Sequence, residues 1–344
     1  MAGLTEGQEL LFPVGVAADR TGRVAIPDFR LGEVVVVGPG GEWRGPWTTK
    51  GEGPGEVSAP VAAVWDESGV LAVFDIEQSK VIHLTDGRRA SEDLRIDPSF
   101  TAATVASGQL GWAGVLPGGA VLLVSPIEPP ASVGEAIDGT TAILLLRPDA
   151  RVPDTLARVP VHALGSGRYR EVPAPGWPRP LAAVGAGGTV AVGDSAGAYR
   201  IRLLDPDGRP VRDICRDAPP VPLTERERGR GAIPEERRSL AEAIGSAPEP
   251  KVPAAYGRLM VGSAGRLWVQ RDRPDPFDRA AELFGEPGAR YDVFAADGPY
   301  LGTVKAPPRA RLQAASGDTV WAFVSGDLDD VSVVAYRIDF EKTS

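Results

Sequence analysis

The chain has 344 residues, 43% of them hydrophobic, with 42 Gly, 33 Pro, a formal net charge of −9 and a mean hydropathy of −0.09. This balance suits many short strands joined by turns and excludes a spanning helix, which needs about 18 consecutive apolar residues. It also argues against a general affinity for nucleic acid or for an anionic membrane, because both require a basic face.

From the N-terminus, residues 13–87 hold one unit written twice. Pro13, Asp19, Gly22, Asp28, Val34, Val35 and Gly40 recur as Pro60, Asp66, Gly69, Asp75, Val81, Ile82 and Gly87, each pair 47 residues apart without a gap. A fixed period of this size marks a repeat protein. In each copy an apolar run (14–18; 61–65) ends at Asp-x-x-Gly, where Asp bonds its own backbone two residues on and Gly takes the positive φ of a tight hairpin. A second strand (23–26; 70–74), a loop opened by Asp28 or Asp75, a third strand (34–37; 80–84), a Gly turn and a fourth strand complete the unit. Four short antiparallel strands every roughly 40 to 50 residues is the layout of a propeller blade.

Carried forward, the pattern predicts a single domain of six blades over 13–47, 60–95, 108–159, 180–214, 254–304 and 311–339. Gly188 and Asp194 of the fourth unit each lie 119 residues after Gly69 and Asp75, so the internal spacing is kept. First-to-second and third-to-fourth strand connections are tight turns throughout. The long connections, 48–59, 97–108, 126–139, 160–179, 216–253 and 272–289, fall between second and third strands or between blades, and both of those types emerge on one face. Function is expected on that elaborated face.

Two of these insertions read as helices. Residues 234–244 begin with Pro234 and acids and place Leu240 and Ile244 on one stripe, and 277–284 is closed by Gly285. They serve either as a lid over the channel or as cover for strand ends. Because 216–253 joins two blades, its shortening is expected to leave the fold intact and to abolish binding. The sixth blade supplies three strands before the chain ends, so three strands, or a very short fourth near Glu9 to Leu11, are expected there. Such an exposed edge favours association. Met1-Ala2-Gly3 opens without a basic or apolar leader, so no signal peptide is expected in this chain, although a precursor with an upstream strand and an export signal would suit the fold.

Lys50-Gly51-Glu52-Gly53-Pro54-Gly55-Glu56, the strand Gly265-Arg266-Leu267-Trp268-Val269, Tyr291-Asp292-Val293-Phe294 before Asp297-Gly298, and Gly326-Asp327-Leu328-Asp329 before Val333-Val334-Ala335-Tyr336 resemble the bacterial six-bladed β-propellers related to NHL-repeat (TolB-like) proteins. The resemblance covers nearly the whole chain. It implies an all-β six-bladed propeller with short helical insertions on one face, and an extracytoplasmic binding or scaffold module. Relatives include calcium-dependent lactonases and a peptide amidating lyase.

The chemistry-bearing residues are few. Gly193-Asp194-Ser195-Ala196-Gly197 fits a nucleophile pattern, yet it lies between two strands where that pattern needs a strand-to-helix turn. His83 falls inside a strand and reads as packed; His162, in a long loop, is the better candidate. Two His and the single Cys215 in separate blades do not reproduce the lyase's zinc site, and Cys215 reads as a small buried apolar residue. Lactonase propellers hold calcium with Glu, Asp and Asn oxygens, and Asn does not occur in this chain. Asp327, Asp329 and Asp330 form either a hard-cation site or a solvated acidic loop. The stretch 225–230 alternates Glu and Arg and neutralises itself. Trp65, Trp112, Trp268 and Trp321 fall in strands as blade-to-blade packing, whereas Tyr169, Trp177 and Tyr256 lie in or beside long loops.

These features point to a non-catalytic propeller that binds a small molecule, protein or peptide on its elaborated face through Trp177, Tyr169, Arg170, His162, Tyr256 and Arg271, with no cofactor, no nucleic acid and no membrane insertion. The alternative is a lactonase-like hydrolase or lyase with an atypical, calcium-type metal site on the same face, drawing on Glu171, His162, Arg170 or the Asp327 cluster.

Overall fold

The computed structural model describes residues 10–99, 114–124, 136–148, 150, 152–165, 171–173, 176–177, 181–193, 199–219, 221–246, 249–278, 281, 284–326 and 331–338. Six antiparallel sheets succeed one another along the chain as six blades of a propeller. The first is β1 (Ala17–Ala18), β2 (Val24–Asp28), β3 (Glu33–Val37) and β4 (Trp43–Pro46). The second is β5 (Pro60–Trp65), β6 (Leu71–Asp75) and β7 (Lys80–Thr85), with β8 (Arg88–Arg89) and β9 (Leu94–Arg95) both paired to β7. The third comprises β10 (Gly114–Val115), β11 (Val121–Val124), β12 (Ala136–Leu146), β13 (Asp154–Gly165) and β14 (Glu171–Pro173), and the fourth β15 (Leu181–Val184), β16 (Val190–Gly193), β17 (Tyr199–Leu204) and β18 (Pro210–Arg216). The fifth is β19 (Arg258–Val261), β20 (Leu267–Gln270), β21 (Arg290–Phe294) and β22 (Tyr300–Lys305); the sixth, β23 (Ala310–Ser316), β24 (Thr319–Ser325) and β25 (Val331–Arg337), has three strands among the described residues.

The repeated aspartates explain the shape of each blade. Asp19 accepts hydrogen bonds from the Thr21 and Arg23 backbone N–H groups, both at 2.8 Å, and Asp66 does the same with Ser68 and Val70. Gly22 and Gly69 then close the hairpins at φ +89° and +86°, where a side chain would be strained. Asp28 is fully buried and accepts from the Leu11, Phe12, Arg30 and Leu31 amides, so it ties its own blade to the preceding segment. Asp75 does likewise for Ser58 and Gln78.

Burial runs between blades. One apolar cluster spans each seam: Trp65 with Val34 and Val36 between blades one and two, Phe74 with Val121 between two and three, Ile143 with Val190 between three and four, Tyr199 with Leu259 between four and five, and Trp268 with Leu312 between five and six. The ring closes through Ala18 and Val24 against Ala314 and Trp321. The first strands of successive blades touch all the way round, β1 meeting both β5 and β23.

Three expectations are corrected. Residues 136–139 and 160–165 do not form loops but extend the β12–β13 hairpin, so the third sheet runs on to Pro173, past 159. Pro160 sits opposite Thr140 within that hairpin, and Val159 and Val161 supply β-branched residues on either side. His162 therefore belongs to a strand, opposite Asp138. Cys215 is exposed: on the outermost strand β18 its neighbour Ile214 takes the buried side.

The predicted helix at 234–244 is α1 (Arg238–Ser246), entered through a 3-10 turn at Glu235–Arg237. Leu240, Ala241 and Ile244 pack against Phe277, with Trp177 and Ile233 alongside. The connection that carries α1 is also anchored electrostatically, because Arg273 and Glu227, each only 6% exposed, pair at 2.6 Å. Arg273 further donates to the Val221, Pro222 and Ala254 carbonyls. Shortening 216–253 would thus leave Arg273 buried without its carboxylate, a penalty that a simple linker would not carry. No helix among the described residues is long and apolar enough to cross a membrane.

Candidate functional site

Strands alternate in direction within each blade, so every inter-blade and second-to-third connection opens on one face and every first strand begins there. The first strands enclose a central cavity of ≈ 230 Å³. Its wall is alanine and valine from β1, β5, β15 and β23, among them Ala17, Ala63, Ala183 and Ala315. Among the described residues, the polar side chains that line it, apart from the Trp65 indole, are Arg258, Ser263 and Gln313.

Arg258 opens β19 and so stands at the elaborated mouth, beside Phe12, Pro27, Pro274, Ala281 and Phe284. Phe12 and Phe284 meet edge to face with ring centroids 6.3 Å apart. Arg258 donates to the Phe284 carbonyl, to the Leu312 carbonyl at 3.2 Å and to Gln313 Oε1 at 3.1 Å. The register of β23 shifts at Gln313, between Leu312 and Ala314, and this bulge turns the amide toward Arg258. At the opposite end the Ser263 hydroxyl is buried without a hydrogen-bond partner among the described residues. The described mouth residues come from the blade-five connection, the N-terminal segment and the end of β2; α1 packs on Phe277.

Of the residues expected to form the site, the structure describes the side chains of Tyr256, Arg271 and Trp177, and these three do not line the channel. Tyr256 is fully buried in the seam between blades four and five, its hydroxyl donating to the Arg200 carbonyl at 2.7 Å, so it offers no surface to a ligand. Arg271 is held by Asp292 at 3.2 Å and by the Pro219 carbonyl. Trp177 is half-buried against the α1 cluster. Glu171 opens β14; its side chain and that of His162 lie outside the described residues, as do Tyr169, Arg170, Asp327, Asp329, Asp330 and 194–198 of the Gly-Asp-Ser-Ala-Gly stretch. His83 is buried in β7 with Nε2 3.0 Å from the Pro117 carbonyl. Arg258, by contrast, was not singled out in the sequence. The signal was there, since Arg258 and Arg311 are the two cations in the first strands of the blades.

Calcium, which the lactonase resemblance implies for this mouth, does not fit the described residues. The ion requires six to eight oxygen ligands, whereas the mouth offers Gln313 Oε1, already accepting from Arg258, beside a positive guanidinium. Among the described residues no group of three His, Cys, Asp or Glu is placed to hold a metal.

The densest polar cluster is structural. Asp292, 1% exposed, faces Arg216 and Arg271 and accepts from Thr303 at 2.7 Å and Tyr199 at 3.0 Å. Burial alone would push its carboxyl up, but hydrogen bonds from Arg216, Thr303 and Tyr199 outweigh that and hold it below the usual range. Asp272, against burial, is lowered by Arg290, and Asp19 by Arg23 and Thr21. Groups lowered on folding stabilise the native state above the unfolded value, about 4, and lose that contribution as pH falls through their folded values. Urea unfolding from pH 7 downward is therefore expected to show stability falling below about pH 4, with a shallower fall in Asp292→Asn.

No protein-family model matches the chain, and none of the curated proteins matches it. Among solved structures it is similar to a member of the duf4221 family from Bacteroides vulgatus, at TM-score 0.51 and 9% identity over 98% of this chain and 96% of that one. It is also similar to a gluconolactonase from Xanthomonas campestris (TM-score 0.42, 12% identity, 96% and 87% of the two chains) and to a calcium-binding protein, regucalcin, from Agrobacterium tumefaciens (TM-score 0.43, 10% identity, 99% and 96%). At these identities the likeness is one of fold alone.

Proposed function

We propose that this protein is a binding propeller that takes a small, largely apolar molecule into its channel from the face carrying the long connections. The observation that carries this reading is the channel wall. Among its described residues no Asp, Glu, His, Cys or Lys is present, and acid–base, nucleophilic and metal-assisted hydrolysis all draw on those side chains. The cavity of ≈ 230 Å³ is smaller than the roughly 300–1,000 Å³ of drug-sized sites, which suits a compact ligand.

Gly15 gives a direct test, because it lines the channel and a Cβ built there meets nothing within 4 Å. Gly15→Leu is expected to fold with an unchanged melting temperature and to bind benzyl alcohol at least roughly tenfold more weakly than wild type, the added side chain occupying the ligand's space. Equilibrium dialysis measures this. Equal binding by both proteins would place the ligand elsewhere, and turnover of a lactone and ester panel that Gly15→Leu abolishes would favour the hydrolase reading instead.

A further inference from the structure

Cations in the interior of this protein are paired with carboxylates. Arg273 has Glu227, Arg216 and Arg271 share Asp292, Arg311 has Asp278, and Lys80 has Asp93. Arg258 departs from this rule. No described carboxylate lies within 4.0 Å of it, and its acceptors, the Phe284 and Leu312 carbonyls and Gln313 Oε1, are all neutral. Those three bonds leave two of the guanidinium's five N–H donors without an acceptor among the described residues.

Arg258 is partly buried, and a partly buried cation facing only neutral dipoles gains from an arriving counter-charge. Burial pulls the Arg258 guanidinium below its usual range, against a smaller opposing effect of Tyr291, yet arginine stays charged at neutral pH. The surroundings fix what can approach. Phe12, Phe284 and Pro274 line the same cavity as Arg258, the alanine wall continues behind them, and no second cation lines it among the described residues. Gln313 cannot supply a further donor, because its Nε2 is already spent on the Phe284 and Arg311 carbonyls at 2.7 and 3.1 Å.

Resting on the channel reading, we infer that the ligand is a monocarboxylic acid with a compact apolar body, its carboxylate accepting the free N–H groups of Arg258 at the elaborated mouth and its body lying between Phe12, Phe284 and the alanine wall. A single guanidinium matches one carboxylate through paired N–H···O bonds. With no second cation among the described lining residues, a dianionic phosphate would bring one charge that none of them balances. Arg258 also fixes orientation, since the anion stops at the mouth and the apolar end points down the channel.

The test is calorimetric titration of wild type, Arg258→Met and Arg258→Lys with benzoate, benzamide, benzyl alcohol and phenyl phosphate. Wild type is expected to bind benzoate roughly tenfold or more tightly than benzamide, the worth of one charge-assisted hydrogen-bonded contact, and to bind phenyl phosphate less well than benzoate. In Arg258→Met the preference for benzoate over benzamide should vanish while benzyl alcohol still binds, and Arg258→Lys should keep part of that preference. Should Arg258→Met fail to fold, the wild-type ranking and the lysine variant decide the matter. Equal affinity of wild type for benzoate and benzamide, a preference that survives in Arg258→Met, or tighter phenyl phosphate than benzoate would each overturn the inference while leaving the channel as a site. Failure of all four probes to bind wild type would overturn the channel reading itself.

Discussion

Asp292→Asn is expected to lower the unfolding free energy by about 3–5 kcal/mol, because it leaves Arg216 and Arg271 in the seam between blades four and five without the carboxylate they share. The substitution keeps the side chain's shape, so the loss reports charge rather than a cavity. Out of a typical total of about 5–15 kcal/mol this is a large fraction, and urea unfolding at pH 7 will measure it. Replacing the three charges together, as Arg216→Met, Arg271→Met and Asp292→Leu, should recover much of the loss, since whole buried ion clusters often exchange for apolar groups at little cost. An Asp292→Asn protein within about 1 kcal/mol of wild type would show that the seam is held by Tyr199, Tyr256 and Leu259 alone.

The second large effect is expected at ring closure. Trp321 is 7% exposed and is the largest side chain joining blade six to blade one, against Ala18, Val24 and Ala314. Truncating a buried Trp to Ala costs about 3–5 kcal/mol, and here the cavity opens in the seam where the two ends of the propeller meet. Trp321→Ala should therefore melt earlier and open apolar seam surface to other chains, raising the apparent mass in light scattering as concentration rises. A monomeric Trp321→Ala protein with wild-type stability would mean that closure rests on other contacts, such as Leu10 with Ile26 and Val35 and their neighbour Val333.

The blade pattern could be read from the sequence because it is local. Asp19, Gly22 and Asp28, and their counterparts 47 residues on, act on backbone within a few positions of themselves, and the structure uses them that way. The third blade was less legible. Pro160 inside β13 argues against a strand, yet it pairs in register with Thr140 in an extended hairpin.

The site was hidden for a different reason. Tyr256 and Arg271 adjoin long connections in sequence, but whether such a residue reaches solvent or a seam depends on partners far along the chain, Arg200 for one and Asp292 for the other. Arg271 did carry a readable anomaly: it lies six residues after Gly265, where Asp28 and Asp75 lie six after Gly22 and Gly69. The charge is reversed at the repeat's own position, and the balancing carboxylate comes from β21. Arg258 was visible as a cation in a first strand, but that it lacks a carboxylate partner is a fact about three dimensions.

The most direct measurement of the central claim is a crystal structure of the protein soaked with benzoate, at a resolution that places the ring and the carboxylate. The account predicts density inside the channel, with the carboxylate against Arg258, the ring beside Phe12 and Phe284, and no such density in Gly15→Leu. An empty channel, or benzoate bound only elsewhere on the propeller, would contradict it.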